Sequence, residues 1–124
     1  MRHKYPVNWF EIPANDFNRA VKFYSTILNI ELPVSDINGT KMAFFSSEPL
    51  EVSGVIISGD GAEPSTKGIL LYLNGGDDLA VPLSKIEGAG GTVVLPKTKI
   101  SDDIGCYAIF IDSEGNRLAL HSPK

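Results

Sequence analysis

Asn8–Tyr24, NWFEIPANDFNRAVKFY, is the stretch whose reading decides the fold. Trp9-Phe10-Glu11-Ile12 alternates so that Trp9 and Glu11 share one face of a strand and Phe10 and Ile12 the other. Pro13-Ala14-Asn15 makes a turn, and Asp16 carries the short acceptor side chain of a helix N-cap. Apolar residues then recur at 17, 20, 21, 24, 27 and 28, the stripe of a helix buried on one side, and Asn29 is its stop.

Three strands follow in the same half. Glu31–Ser35 leads into Asp36-Ile37-Asn38-Gly39, a hairpin signal. Lys41–Ser46 carries Met42, Phe44 and Phe45 and ends near Glu48-Pro49. Val52–Ser58 is apolar and β-branched, with Gly54 marking a bulge or a close backbone approach. The polar stretch Gly59–Gly68, GDGAEPSTKG, is a connector at the middle of the chain.

The order then repeats. Ile69–Asn74 reads as a strand, Gly75-Gly76-Asp77 as a turn, and Asp78 as the cap of a helix through about Gly88. Aligning Asp16 with Asp78 gives an offset of 62 in 124 residues, so Phe17 meets Leu79, Val21 meets Leu83 and Tyr24 meets Ile86. Pro82 falls in the first turn, where a backbone N–H has no helical partner. Gly90-Gly91 ends the helix, and Thr92–Lys97, Cys106–Ile111 and Arg117–His121 make three strands, the last two joined by Asp112-Ser113-Glu114-Gly115-Asn116. The expectation is an α+β domain of two βαβββ modules, about 5–58 and 69–122.

Composition excludes several classes. Eleven Lys and Arg against fifteen Asp and Glu leave a net charge of −4, and the only basic cluster is Arg2-His3-Lys4, so nucleic-acid binding is not expected. No apolar run approaches the roughly 18 residues that span a bilayer. The opening MRHKYPVNW has no apolar region of a secretory signal, which makes a cytoplasmic protein the expectation. One cysteine, Cys106, cannot form an internal disulfide, and its apolar strand makes it a core residue.

Three stretches resemble the vicinal oxygen chelate superfamily of glyoxalase I, bleomycin resistance proteins and extradiol dioxygenases. WFEIPANDFNRAVKFY is similar to its opening strand and "RA-x-x-FY" helix. LSKIEGAGGTVVLPKT resembles its second helix and "E-x-x-GG-x-V" strand start, and DSEGNRLALHS its final "D-x-x-GN" hairpin. The resemblance implies a curved mixed sheet around a pocket, with helices on the outer face, and makes a homodimer the expectation. In metal-dependent members a divalent ion sits on His, Gln or Glu side chains from the first and last strand of each module.

Carried over residue by residue, those positions are Trp9, then Leu70 or Leu71, then Ala119, and on the first module's last strand Gly54, Val55 or Ile56. None offers the imidazole, carboxylate or thiolate that a divalent metal needs. No metal or other cofactor is therefore expected, and metal-assisted glyoxalase chemistry is disfavoured. The two histidines do not repair this: His3 lies in the terminus, and His121 has Glu11 as its one plausible companion donor.

Strand parity puts Trp9, Glu11, Leu70, Tyr72, Arg117 and His121 toward the pocket, with Tyr107 and Ala119 as further ligand-binding candidates. Trp9, Tyr72 and Tyr107 each have a second reading as core aromatics. Glu11 either pairs with Arg117 or Lys41 or serves the pocket, where it would be a general base with His121 as acid. No phosphate-binding glycine loop or nucleophile elbow is present. The expected function is a metal-free member binding a small organic molecule. The alternative is a lyase, isomerase or dioxygenase using unusual metal ligands or Glu11.

Overall fold

The computed structural model describes residues 6–46 and 52–124. The basic cluster Arg2-His3-Lys4 and the strand end at Glu48-Pro49 lie outside them. Module one runs β1 (Trp9–Pro13), α1 (Phe17–Leu28), β2 (Val34–Ile37), β3 (Thr40–Phe44) and β4 (Ser53–Ser58). Module two runs β5 (Leu71–Asn74), α2 (Ala80–Leu83), β6 (Thr92–Ser101), β7 (Gly105–Ile111) and β8 (Arg117–Ser122).

Each module builds a four-stranded mixed sheet, in the orders β1-β4-β3-β2 and β5-β8-β7-β6. The equivalence of the halves extends to pairing. β1 lies parallel to β4 and β5 parallel to β8, while the other neighbours are antiparallel.

Local chemistry accounts for the elements. Asp16 is extended and its carboxylate accepts from Arg19 N at 3.1 Å, which caps α1 as expected. Asn29 closes the helix in the left-handed region at φ 54°. Asn38 and Gly39 both have positive φ, the geometry a tight two-residue hairpin needs. Gly54 is a close approach rather than a bulge: a Cβ there would stand 2.4 Å from the Phe10 carbonyl oxygen on β1.

Three boundaries differ from the sequence expectation by three residues or more. β2 begins at Val34 rather than Glu31, because the Asn38-Gly39 turn starts the ladder at Ile37–Thr40 and Pro33 has no N–H with which to extend it. β6 runs on to Ser101 rather than Lys97, since register shifts between Leu95 and Thr98 leave Pro96 out of the ladder. α2 stops at Leu83 instead of Gly88. The chain there continues in tight turns, with Lys85 N to Pro82 O, Ile86 N to Leu83 O and Gly90 N to Glu87 O. Gly88 and Gly90, both poor helix formers, follow too closely for a long helix.

The core lies on the helix side of both sheets and is continuous across the modules. It joins Ile12, Phe17, Phe23, Tyr24, Ile27 and Ile56 to Leu73, Leu79, Ile86, Phe110, Leu118 and Leu120. Among the described residues, the opposite face of each sheet carries no helix.

Candidate functional site

The register separates the two faces of each sheet. In module one the core face takes Phe10 and Ile12 with Gly54, Ile56 and Ala43. Its open face takes Trp9 and Glu11, with Val55 and Ile57 of β4 and Met42 and Phe44 of β3. Trp9 is 47% exposed, and its ring packs tilted against Phe44 at 6.2 Å between centroids. The alternation Met42-Ala43-Phe44 was the available signal for the last two, which sequence reasoning left out of the pocket.

In module two the open face takes Tyr72 from β5, Tyr107 and Ile109 from β7, and Arg117, Ala119 and His121 from β8. Ala119 stands between Tyr72 and Ile109 in the ladder. Tyr72 is 47% exposed, and its ring lies 6.1 Å from that of Tyr107. Leu71 pairs with Leu118 on the core face, while Leu70 precedes β5, is half-buried and has no partner in the ladder, so the pairing does not bring it to the open face with Tyr72. The same parity selects Val55 as the module-one counterpart of Ala119, opposite Glu11 as Ala119 is opposite Tyr72.

Trp9 and Tyr72 therefore stand on open sheet faces, not in the core. Glu11 is exposed, and among the described residues it has no hydrogen-bond or ion-pair partner, so neither Arg117 nor Lys41 pairs with it. Glu11 and Arg117 border the same small cavity of about 210 Å³ beneath the connector. His121 belongs to the other sheet's open face, and its Nε2 lies 2.6 Å from the Ile104 carbonyl oxygen. Glu11 and His121 share no hydrogen bond. Cys106 is half-buried and packs against the core.

An opening of about 1010 Å³ is lined by Phe10, Ile27 and Phe45 of module one and by Leu71, Tyr72, Leu73 and Pro82 of module two. Among the described residues no three His, Cys, Asp or Glu side chains come together as a divalent ion requires.

A polar cluster that the sequence showed only as a turn joins the modules. Asp112, Glu114 and Asn116 are all buried. Glu114 accepts from Asp16 N at 2.7 Å, from Arg19 Nε and Nη2 at 2.7 and 3.1 Å, and from Ser113 Oγ at 3.0 Å. Burial alone would raise its carboxyl, but the hydrogen bonds from Arg19, Asp16 and Ser113 outweigh burial and hold it below the usual range. Asp112 accepts from Tyr24 Oη at 2.6 Å, and burial, reinforced by the Asp112 charge, pushes that phenol well above its ordinary value. Asn116 Nδ2 donates to the Pro13 carbonyl at 2.7 Å, and its Oδ1 accepts from Ser65 N in the connector. This cluster fixes how the open faces stand relative to one another; it offers no substrate a free group.

No family model matches the chain, and no curated protein matches it. Solved structures do. A glyoxalase I variant from Zea mays superposes with a TM-score of 0.74 at 18% identity, over 95% of this chain and 46% of that one. The chain thus spans about half the length of that enzyme. TnmS3, an antibiotic binding protein from Streptomyces sp. CB03234, superposes with a TM-score of 0.67 at 22% identity, over 100% of this chain and 98% of that one. A glyoxalase/bleomycin resistance protein from the same organism gives 0.67 at 22%, over 92% and 97%. Strand order, module repeat and these neighbours agree: the chain has the paired βαβββ fold that these solved structures share.

Proposed function

We propose that this protein binds a small organic molecule against its open sheet faces without a resident metal, and that a second copy completes the enclosure. The observation that carries the reading is the placement of Trp9 and Tyr72. Each is a large aromatic nearly half exposed on a sheet face that no helix covers. Exposed aromatic surface grouped with Phe44, Met42 and Ile57 on one face, and with Tyr107 and Ile109 on the other, marks a surface that is covered in use. An apolar wall with a few polar groups, here Glu11, Arg117 and His121, is the makeup of a small-molecule site.

The residue types at the ligand positions support the metal-free part. Trp9, Val55, Leu70 and Ala119 offer a divalent ion no donor atom. The neighbouring fold described as an antibiotic binding protein lends support to small-molecule binding, as likeness of fold. A thermal-shift screen of planar and alicyclic organic compounds tests the reading directly. Stabilisation that W9A and Y72A weaken supports it; a panel that leaves the melting temperature unmoved counts against it.

A further inference from the structure

We propose that His121 is a positioning residue whose imidazole latches the turn between β6 and β7 at the rim of module two's open face, and so sets how readily a ligand passes Tyr72 and Tyr107. This rests on the ligand-binding reading above and adds a gate to it.

The ring projects from the open face, where His121 pairs with Tyr107 on one side and Asn74 on the other. Its Nε2 lies 2.6 Å from the carbonyl oxygen of Ile104, 17 residues away in the chain. A carbonyl can only accept, so Nε2 carries the proton and donates it. The imidazole thereby holds the turn instead of standing free as an acid or a ligand donor.

The β6–β7 ladder closes the base of that turn at Ser101 and Gly105, and the further ties within residues 102–104 are few. Ile104 N donates to Ser101 Oγ at 3.0 Å, Lys99 pairs with Asp102 in the open, and the Ile104 side chain is 54% exposed. Gly105 lets the turn lie flat on the end of β8. It has φ +103°, and a Cβ there would stand 2.3 Å from the Ser122 carbonyl oxygen. A short turn with polar ties and no buried apolar anchor opens locally far more easily than the strands it joins. Removing one exposed hydrogen bond changes such an opening equilibrium by about fivefold.

Cys106, the only cysteine and the residue after Gly105, reports that opening without any ligand. The experiment compares the rate of Cys106 alkylation by iodoacetamide in wild type, H121F and H121Q. H121F keeps a ring but removes the donor; H121Q restores a donor. The expected result is alkylation about fivefold faster in H121F, a return toward wild type in H121Q, and little change in melting temperature. An unchanged rate in folded H121F overturns the latch. Should H121F fold poorly, amide exchange at Ile104 and Gly105 in H121Q and wild type decides: exchange no slower than in an unstructured peptide in wild type contradicts a latched turn.

A second arm reads the gate itself with 1-anilinonaphthalene-8-sulfonate as the probe. Dye dissociation faster in H121F by a similar factor supports the gate, and equal rates despite faster alkylation overturn it. No dye binding and no screen hit, with alkylation still faster, would sink the ligand reading while the latch stands.

Discussion

Glu114 and Tyr24 are where single side chains hold the two modules together. The Glu114 carboxylate is shielded from solvent while its partner Arg19 is half exposed, so the ion pair is partly screened and the backbone and hydroxyl donors carry much of the hold. E114Q should cost about 2 kcal/mol in denaturant unfolding at neutral pH. Because the folded carboxyl titrates below its ordinary value near 4.5, its contribution is complete above that pH and fades as the pH falls through the lower folded value. The gap between wild type and E114Q should therefore close in acid, and a gap that persists undiminished would rule this out. Y24F removes the 2.6 Å bond to Asp112 but leaves that carboxylate its donors from Asn116 Nδ2 and the amides of Glu114 and Asn116. A loss of about 1 kcal/mol with no cavity is expected. Neither role was legible in the sequence. The partners of Asp112 and Glu114 lie about ninety residues away, and local periodicity carries no information on such pairs. Trp9 and Glu11 were legible, because the period of two in a strand fixes which side chains share a face.

At the scale of elements, Gly54 shows what the parallel pairing of β1 with β4 demands. A methyl group there would meet the Phe10 carbonyl at 2.4 Å and the Phe10 ring at 2.5 Å, and a backbone atom cannot rotate away. G54A should cost about 3 kcal/mol by overpacking, read as a lowered urea midpoint. A midpoint equal to wild type would show that β1 can shift freely. The sequence marked Gly54 as unusual but could not tell bulge from close approach, since that depends on which strand lies alongside. The helices divide in the same way. α1 was legible from Asp16 to Asn29 because its cap, stripe and stop agree. α2 was not, because Gly88 and Gly90 hold the chain in tight turns that keep nearly the same buried residues, Leu79 and Ile86, as a helix would.

For the whole molecule, the repeat at half length was legible and fixes the two sheets; the shared core between them was not. One core is shared by the helix sides of both sheets, which leaves Trp9 on one open face and Tyr72 on another. Covering those faces with a second copy predicts twice the monomer mass in sedimentation at tens of micromolar, reduced toward the monomer by W9E, which places a charge in the apolar contact. A monomer at every concentration would contradict the proposal that a second copy completes the enclosure. Trp9 is the only tryptophan, so its emission reports one place on one face. The most direct measurement is a fluorescence titration of Trp9 with the compounds that stabilise the protein against heat. The account predicts saturable, stoichiometric quenching or a spectral shift that Y72A or F44A weakens. Stabilising ligands that saturate the protein while Trp9 emission stays unchanged would contradict it.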